Sequence, residues 1–317
     1  MSRGAAYSGP TVDSVLDAIG ATPLMRIEGV FAKLEFMNPS GSVKARIAKH
    51  MIDKAEVAGL LRPGDTIVEA SSGNTGNALA MVAAAKGYRM VVVTPRGLST
   101  ERTAISSAFG AHVELVGDFY LDEAVTRARE LGGQPGWFCP SQFESEWNVE
   151  ENREWLGREI LAQLPENCAP DALVVGVGTG GTLVGVGQAF RAINPNALII
   201  GVEPEESCTY LCGERCEHLI QGIADGFVPS IIERHRDLID DFVAVSGNDA
   251  VAEMKRLARD HGLLVGPSSG AQLLAAKRLR DTRPELHTVV TLFSDEGEKY
   301  LADHYSDHAD GTSPPSP

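Results

Sequence analysis

The sequence predicts an α/β protein of two domains, each a parallel-type sheet flanked by helices. Short apolar runs rich in β-branched residues alternate with longer helical patterns along most of its 317 residues. The alternation pauses at a glycine- and proline-containing turn, residues 133–136, and a second series begins near residue 171. Strands that alternate with helices at short spacing favour parallel sheets, and two series favour two domains with a cleft between them.

The elements follow from periodicity and from turn residues. In the first series we expect strands at residues 22–26, 29–37, 66–70, 90–93 and 113–116, and helices at 43–58, 77–86, 101–109 and 121–131. Two of these helices end at Gly87 and Gly110, because glycine adopts the left-handed conformation that ends many helices.

The second series is predicted in the same way. A helix at residues 149–164 leads into strands at 172–177, 197–202, 242–245, 263–265 and 288–293, with helices at 183–193, 249–261 and 271–280. Residues 303–317 are polar and rich in proline and serine, and we expect them to be a disordered tail.

Charge and composition exclude several classes of partner. The chain has 28 basic and 43 acidic side chains, a formal net charge of −15. This balance argues against nucleic acid or an anionic membrane as a partner. No run approaches the roughly 20 apolar residues of a membrane span, and no apolar secretory signal is present. We expect a cytoplasmic protein.

The five cysteines also fit a reducing compartment, because their number is odd and no signal precedes them. Three of them have four-residue spacing, which on a helix would place them on one face: Cys208, Cys212 and Cys216. Their spacing matches no known zinc or iron–sulfur pattern, so we expect ordinary thiols and no metal site.

Lys44 occupies an unusual position for a lysine. It follows the turn residues that begin at Asn38 and starts a helical pattern, so it is expected in the first turn of a helix. The positive end of the helix dipole disfavours an ammonium there. A neutral amine is what Schiff-base chemistry requires. A solvated surface lysine is the alternative.

A glycine-rich loop at residues 178–182 lies between a predicted strand and a predicted helix. Converging backbone N–H groups, a helix N-terminus and two threonine hydroxyls suit a monophosphate, although a plain tight turn is an alternative. The same segment also contains the dinucleotide fingerprint of Gly176, Gly178 and Gly181, with Glu203 where a ribose-binding acid would lie. An NAD-dependent oxidoreductase is therefore a rival prediction.

Three further polar segments lie beside predicted strands or helices. The loop at residues 71–76 precedes a helix and offers hydroxyls and an amide that suit a carboxylate, or that simply cap the helix. Ser268 lies in a second strand-to-helix turn, where a capping role is the alternative. Gln142, in an irregular stretch, either binds a ligand or faces water.

Taken in order, these segments resemble the fold-type II pyridoxal-phosphate (PLP) enzymes of the cysteine synthase and cystathionine β-synthase family. The resemblance covers nearly the whole chain, from Thr22 to about Leu301. It rests on the ordered set of Thr22-Pro-Leu, Lys33-Leu-Glu, Asn38-Pro-Ser-Gly-Ser-Val-Lys44-x-Arg46, Ser72-Gly-Asn-Thr-Gly76, Pro140-x-Gln142-Phe143, Gly178-Thr-Gly-Gly-Thr182, Gly201-Val-Glu-Pro204, Ile220-Gln-Gly-Ile223, Pro267-Ser-Ser-Gly270 and Ser294-Asp-x-Gly297-Glu-x-Tyr-Leu301. The ordered set makes the NAD prediction remote.

The resemblance implies a tryptophan synthase β-like architecture. A smaller, mobile domain spanning residues 38–141 would carry the carboxylate loop. A larger PLP-binding domain would comprise residues 12–37 and 142–302. The family is typically homodimeric.

The resemblance also implies roles for individual residues. Lys44 would bind PLP as an internal aldimine and move the Cα proton. The remaining cofactor contacts would come from Asn74 (the 3′-oxygen), Gly178, Thr179, Gly180, Gly181 and Thr182 (the phosphate), and Ser268 (the pyridine nitrogen). The amino-acid substrate would contact Ser71, Ser72, Gly73, Thr75 and Gln142.

The implied reaction is β-replacement on serine, O-acetylserine or O-phosphoserine through an aminoacrylate, followed by addition of a small nucleophile. A serine at the pyridine nitrogen makes the ring a weak electron sink, which favours β-elimination over transamination.

Asp225 departs from the pattern of cysteine synthases, which carry alanine at this position of the Ile220–Phe227 segment. We expect it to contact substrate, attracting a cationic substrate or acting as a general base; exposure to solvent is the alternative. Its presence leaves other products open, such as 2,3-diaminopropionate or cystathionine.

Overall fold

The fold consists of two sheets flanked by helices. In the computed structural model, residues 11–97, 100–118 and 120–305 are described. Their strands are β1 (Leu24–Ile27), β2 (Val30–Leu34), β3 (Thr66–Ala70), β4 (Arg89–Arg96), β5 (His112–Asp118), β6 (Trp137–Phe138), β7 (Ala172–Gly176), β8 (Leu198–Pro204), β9 (Asp241–Val245) and β10 (Val289–Phe293). Their α-helices are α1 (Lys44–Val57), α2 (Asn74–Lys86), α3 (Thr100–Ala108), α4 (Asp122–Gly132), α5 (Glu146–Glu151), α6 (Arg158–Gln163), α7 (Gly181–Ile193), α8 (Ser230–Arg234), α9 (Gly247–His261), α10 (Pro267–Thr282) and α11 (Leu301–His304).

The larger sheet has six strands in the order β1-β2-β10-β7-β8-β9, and the smaller has four in the order β5-β4-β3-β6. Every pair is parallel except β1 with β2. The predicted α/β class with parallel-type sheets is confirmed. The carboxyl ends of β3 and β7 lead into the two polar loops of interest, at residues 71–76 and 178–182.

Alternate residues of the larger sheet pack against different helices. Val174 of β7 belongs to the hydrophobic cluster that includes Leu273 of α10, whereas its neighbour Val175 belongs to the cluster that includes Leu183 of α7. The β7 strand is buried along most of its length, as expected of a central parallel strand with both faces covered.

Several local features differ from the prediction, and helix α8 is one that was not predicted. The helix expected at residues 149–164 is interrupted by a π-helical segment at Asn152–Gly157, where the side chain of Asn152 donates to Asn148 O at 2.8 Å. The strand expected at residues 263–265 forms only an isolated bridge between Val265 and Glu296. The two-residue strand β6 was not predicted at all.

The C-terminal tail was predicted to begin at residue 303. Asp303 and His304 form the end of α11, and residues 306–317 lie outside the described part of the chain.

Candidate active site

Lys44 is the first residue of α1, as the sequence predicts. The preceding turn is closed by a hydrogen bond from Gly41 N to Asn38 O at 2.7 Å, and Gly41 has the positive φ of +68° that such a turn requires. Val43 N donates to Ser294 O at 2.9 Å. This contact fixes the start of α1 beside the end of β10.

The environment of Lys44 favours its neutral amine. Desolvation lowers the pKa of the Lys44 ammonium below its ordinary value, while the carboxylates of Asp225 and Asp295 oppose this shift. The amine therefore loses its proton more easily than that of a surface lysine. Lys44 is partly exposed within a cavity rather than on the outer surface.

Most of the predicted site residues line this one cavity. They are Lys44, Ser71, Ser72, Asn74, Thr75, Gln142, Gly178, Thr179, Thr182, Asp225 and Ser268. Gly73, Gly180 and Gly181 do not line it. The residues that line the cavity come from distant parts of the sequence, and the carboxyl ends of the strands bring them together, as expected for an open α/β sheet.

The three glycines outside the cavity matter for close packing. A Cβ on Gly181 would lie 2.0 Å from Asn148 Oδ1, and one on Gly73 would lie 2.9 Å from the side chain of Arg102. Gly180 has a φ of +84° and would place a Cβ 2.6 Å from Ile232. These residues allow the two loops to approach their neighbours.

The loop at residues 178–182 ends at the start of α7, whose first N–H groups have no intrahelical acceptors. Thr179 Oγ1 is held by Asn148 Nδ2 at 3.0 Å and accepts from Gly181 N at 3.3 Å. Its hydroxyl proton remains available to a ligand. The loop therefore presents hydroxyls and N–H groups to one side of the cavity.

In the loop at residues 71–76, Ser71 and Thr75 make hydrogen bonds within the protein. Ser71 Oγ accepts from Gly73 N at 3.0 Å and from Gly76 N at 2.9 Å, so its hydroxyl supports the start of α2. Thr75 Oγ1 donates to Gln142 Oε1 at 2.6 Å, and Gln142 Nε2 donates to Ala70 O at 2.7 Å. The capping alternative therefore describes Ser71 well.

Asp225 lines the cavity that contains Lys44. Its Oδ1 accepts from Ser72 Oγ at 3.4 Å, and burial raises the pKa of its carboxyl despite the opposing charge of Lys44. Ser268 is buried in the first turn of α10 and lines the same cavity.

The sequence alone assigned no role to four residues that contribute to the site. Lys299 and Asp295 hold the amide of Asn74, and Tyr300 donates to Asp295 Oδ2 at 2.6 Å. Arg102 of α3 lines the cavity and donates to Ser72 O at 3.1 Å. Asp295, Lys299 and Tyr300 lie in a segment already singled out, residues 294–301. No local pattern distinguishes Arg102 from the other arginines.

Glu203, the acid of the rival dinucleotide motif, is fully buried and already engaged. Its carboxylate accepts the backbone N–H groups of Tyr210 at 2.8 Å and Leu211 at 2.9 Å. This carboxylate stabilises the following loop instead of facing a ligand.

The cysteine segment is not helical, so its three thiols do not share a helix face. Cys208 is buried, and Cys212 and Cys216 are exposed. Within the described ranges, no group of three or more His, Cys, Asp or Glu side chains could hold a metal ion.

Comparison with known proteins identifies the family. The family described as "Pyridoxal-phosphate dependent enzyme" matches residues 15–295. The chain belongs to this family. A cysteine synthase of Staphylococcus aureus is 42% identical over 301 residues, covering 92% of this chain and 96% of that protein.

Other relatives of this PLP-dependent enzyme carry different names. An O-ureido-L-serine synthase of Streptomyces lavendulae is 39% identical over 95% of this chain and 94% of its own. A crystal structure of an O-ureido-L-serine synthase superposes with a TM-score of 0.89, covering 96% of this chain and 98% of that one. An O-acetylserine-dependent cystathionine β-synthase from Helicobacter pylori has a TM-score of 0.88 and 33% identity, covering 94% of this chain and 100% of that one.

The cavity fits the PLP that the family requires. A Cβ on Gly178 would lie 2.9 Å from Gly222 O, so only glycine allows the loop at residues 178–182 to keep its present path there. The donors are neutral hydroxyls and N–H groups at the start of α7, which suit a phosphate in a chain of net negative charge. An amine of lowered pKa lies in the same cavity. Family membership thus confirms PLP as the cofactor, and the residues that line the cavity fit it.

Proposed function

We propose that the protein catalyses PLP-dependent β-replacement on an O-activated serine, O-acetylserine or O-phosphoserine, with serine itself as a further donor. The carrying observation is that one cavity contains the Lys44 amine, the loop at residues 178–182 and the loop at residues 71–76. A β-substituted alanine would be the product. The names of the relatives support this class of reaction.

We assign the cofactor contacts by position in the cavity. When bound, PLP withdraws electrons from the Cα of the amino acid. The phosphate would contact Gly178, Thr179 and Thr182, with Gly180 and Gly181 shaping the loop. Asn74 would donate to the 3′-oxygen, and Ser268 would lie at the pyridine nitrogen.

Lys44 would hold the cofactor's aldehyde carbon and then remove and return the proton at Cα. Its lowered pKa supports this role, because only the neutral amine accepts a proton. The substrate carboxylate would be bound by Ser72 and Thr75, the N–H of Gly73 and the amide of Gln142, with Ser71 holding the loop in place.

Asp225 is the residue on which the choice of nucleophile would depend. The relatives include a cysteine synthase, a cystathionine β-synthase and an O-ureido-L-serine synthase, so related chains make different β-substituted alanines. Cysteine, cystathionine and 2,3-diaminopropionate are therefore all candidate products. If Asp225→Ala leaves the order of preference among donors and nucleophiles unchanged, Asp225 has no part in this choice.

The proposal extends to the domain division and the oligomeric state of the protein. A smaller, mobile domain would span residues 38–141 and a larger one residues 12–37 and 142–302, with closure around the substrate. The protein would be a cytoplasmic homodimer. No helix in the described ranges is long and apolar enough to cross a membrane. Analytical ultracentrifugation of the PLP-loaded protein at micromolar concentration tests the dimer, and a single species of about 34 kDa would contradict it.

The experiment that tests the function begins with a visible absorbance spectrum of the purified protein, before and after PLP is added. Serine, O-acetylserine and O-phosphoserine are then added singly, and release of acetate or phosphate is measured. We expect a visible band that Lys44→Ala abolishes, and a spectral change with at least one donor. A protein that shows no band even with added PLP, or that consumes none of the donors, does not have this function.

A further inference from the structure

Glu69 is a buried carboxylate to which the proposed reaction assigns no role. It lies in β3, two residues before the loop at residues 71–76, and only 2% of it is exposed. It does not line the cavity that contains Lys44. A carboxylate this deeply buried needs hydrogen-bond donors to stay ionised, so its donors indicate what it does.

Backbone N–H groups surround the Glu69 carboxylate. Its Oε2 accepts from Gln142 N at 3.0 Å, and its Oε1 accepts from Ala70 N at 3.0 Å. The N–H of Ser141 also interacts with it. Successive N–H groups that face one anion, here those of Ser141 and Gln142, form the concave arrangement called a nest. Glu69 therefore joins β3 to a segment 73 residues later in the chain.

Ser141 has a backbone conformation that needs support. Its φ is +55°, in the left-handed region that residues with a side chain disfavour. The hydrogen bond that the next residue, Gln142, donates to Glu69 helps to hold this conformation. Such strained residues persist where the surrounding structure fixes them, and they cluster at functional sites.

Gln142 connects this arrangement to the cavity, which its side chain lines. Its Nε2 donates to Ala70 O at 2.7 Å, and its Oε1 accepts from Thr75 Oγ1 at 2.6 Å. These two contacts fix the orientation of the amide, because a backbone carbonyl can only accept. The second N–H of Nε2 can then donate to a ligand. Both contacts require the backbone of Gln142 to stay beside β3, and its hydrogen bond to Glu69 holds it there.

We propose that Glu69 is a positioning residue for the carboxylate of the amino-acid donor and acts through the backbone of Gln142. The inference rests on the proposed function, in which the amide of Gln142 binds that carboxylate. The ionised Glu69 side chain holds the segment at residues 139–143 in place. The Gln142 amide then keeps one N–H directed to the donor. Glu69 itself contacts neither the donor nor PLP.

Glu69 titrates near neutral pH, so its role should depend on pH. Burial raises the pKa of its carboxyl to about 7, although the N–H groups and the Arg129 guanidinium of α4 oppose this shift. Two other titratable groups line the small cavity beside Glu69. They are the Cys139 thiol, whose pKa burial raises to about 12, and Glu144, which forms an ion pair with Arg129. Protonation gives one Glu69 oxygen a hydrogen to donate and weakens its hold on the N–H groups. The donor should therefore bind more tightly above pH 7 than below it.

The test measures the binding of two ligands to the PLP-loaded protein, from the absorbance of PLP. L-alanine has the amino and carboxylate groups of the donor but no leaving group, and L-alaninamide has a neutral amide in place of the carboxylate. We expect Glu69→Gln to raise the Kd of L-alanine about tenfold at pH 8, which corresponds to the loss of about one charge-assisted hydrogen bond. The Kd of L-alaninamide should stay within about twofold, because this ligand has no carboxylate for Gln142 to bind.

Glu203→Gln is the matched control. Glu203 is also a buried carboxylate that accepts two backbone N–H groups, but they belong to Tyr210 and Leu211, and Glu203 does not line the cavity. This variant should change neither Kd by more than about twofold.

The pH dependence gives a second measurement. The ratio of the L-alanine Kd in Glu69→Gln to that in the wild type should fall from about ten at pH 8 to about two at pH 6, because the wild-type Glu69 is mostly protonated at pH 6. The amino group of the ligand and the other titrating groups are present in both measurements and cancel in the ratio.

Three results overturn the inference. In the first, Glu69→Gln changes the two Kd values alike or changes neither. In the second, the ratio is the same at both pH values. In the third, the wild-type preference for L-alanine over L-alaninamide, with each Kd expressed for the free amine, does not fall between pH 8 and pH 6; this measurement needs no variant, so it holds even if Glu69→Gln fails to fold. A protein that consumes a donor but gives any of these results keeps the proposed function without a role for Glu69, whereas a protein that shows no PLP band refutes both.

Discussion

The Nδ2 of Asn74 donates a hydrogen bond to the Oδ2 of Asp295 at 2.8 Å, which ties the start of α2 to the segment after β10. The Oδ1 of the same amide accepts from Lys299 Nζ at 3.0 Å. A lysine can only donate and a carboxylate only accepts, so the two partners fix the orientation of the amide. One N–H of Asn74 remains free to donate into the cavity.

Lys299→Met should weaken PLP binding because it removes the donor to Asn74 Oδ1. The amide then has a buried oxygen without a partner and can rotate, at a cost of about 1–3 kcal/mol. We expect the PLP dissociation constant, measured by absorbance titration of the apoprotein, to rise about tenfold or more. Lys54→Met, which removes a partly exposed ion pair with Glu150, is the control. Equal PLP affinity in both variants would show that the hydrogen bond from Lys299 to Asn74 does not contribute to PLP binding.

Gly180→Ala should destabilise the protein more than Gly59→Ala does. Both glycines have a left-handed φ, +84° and +68°, so backbone strain should destabilise both variants by a similar amount, about 1 kcal/mol. Only at Gly180 would the new Cβ also meet a neighbour, Ile232 at 2.6 Å, whereas Gly59 has nothing within 4 Å. Overpacking adds about 1–3 kcal/mol. Urea unfolding of both variants measures the difference, and equal losses would refute the packing argument.

The positions of Lys44 and of the loop at residues 178–182 could be predicted because each is encoded locally. Turn residues followed by a helical period place Lys44 at a helix start. Clustered glycines between a strand and a helix mark the loop at residues 178–182. The parallel sheet then brings such loops to one edge, whatever their separation in the chain.

Arg102, Asp295 and Lys299 could not be predicted in the same way. Asp295 and Lys299 contact Asn74, which lies more than 200 residues earlier in the chain, and Arg102 contacts Ser72, 30 residues earlier. No periodic pattern encodes such contacts. The π-helical segment after α5 was missed for a related reason. Helix propensity alone favours a continuous α-helix there. The π-helical segment begins at Asn152, whose side chain donates a hydrogen bond to the backbone oxygen of Asn148.

Arg46→Met should strongly destabilise the fold. The guanidinium of Arg46 is buried and donates to Glu35 at 2.7 Å and 2.9 Å and to Glu159 at 2.9 Å and 3.0 Å. Removing it leaves a fully buried carboxylate, that of Glu35, without its cation, which costs about 3–5 kcal/mol. Urea unfolding monitored by circular dichroism measures the change. The control is Arg158→Met. The Arg158 side chain is 70% exposed, so its loss should change the free energy of unfolding by less than about 1 kcal/mol. Similar losses in the two variants would mean that the buried network contributes little.

Glu151→Gln should stabilise the protein increasingly as the pH rises. The Glu151 side chain is only 4% exposed, its Oε2 is buried without a partner, and burial raises the pKa of its carboxyl to about 8. Between the ordinary pKa of 4.5 and about 8, the folded protein holds a proton that the unfolded chain has lost. Unfolding then becomes easier as the pH rises through this window.

Glutamine cannot titrate, so the variant escapes this loss. We expect the unfolding free energy of Glu151→Gln minus that of the wild type to be more positive at pH 8.5 than at pH 5.5, by about 1–3 kcal/mol, since one pKa unit corresponds to about 1.4 kcal/mol. Glu69, whose pKa is also raised by burial, to about 7, is present in both proteins and cancels in the difference. Glu166→Gln, at an exposed position, should show no such trend. A difference that is the same at both pH values would mean that Glu151 is ionised in the folded protein throughout this range.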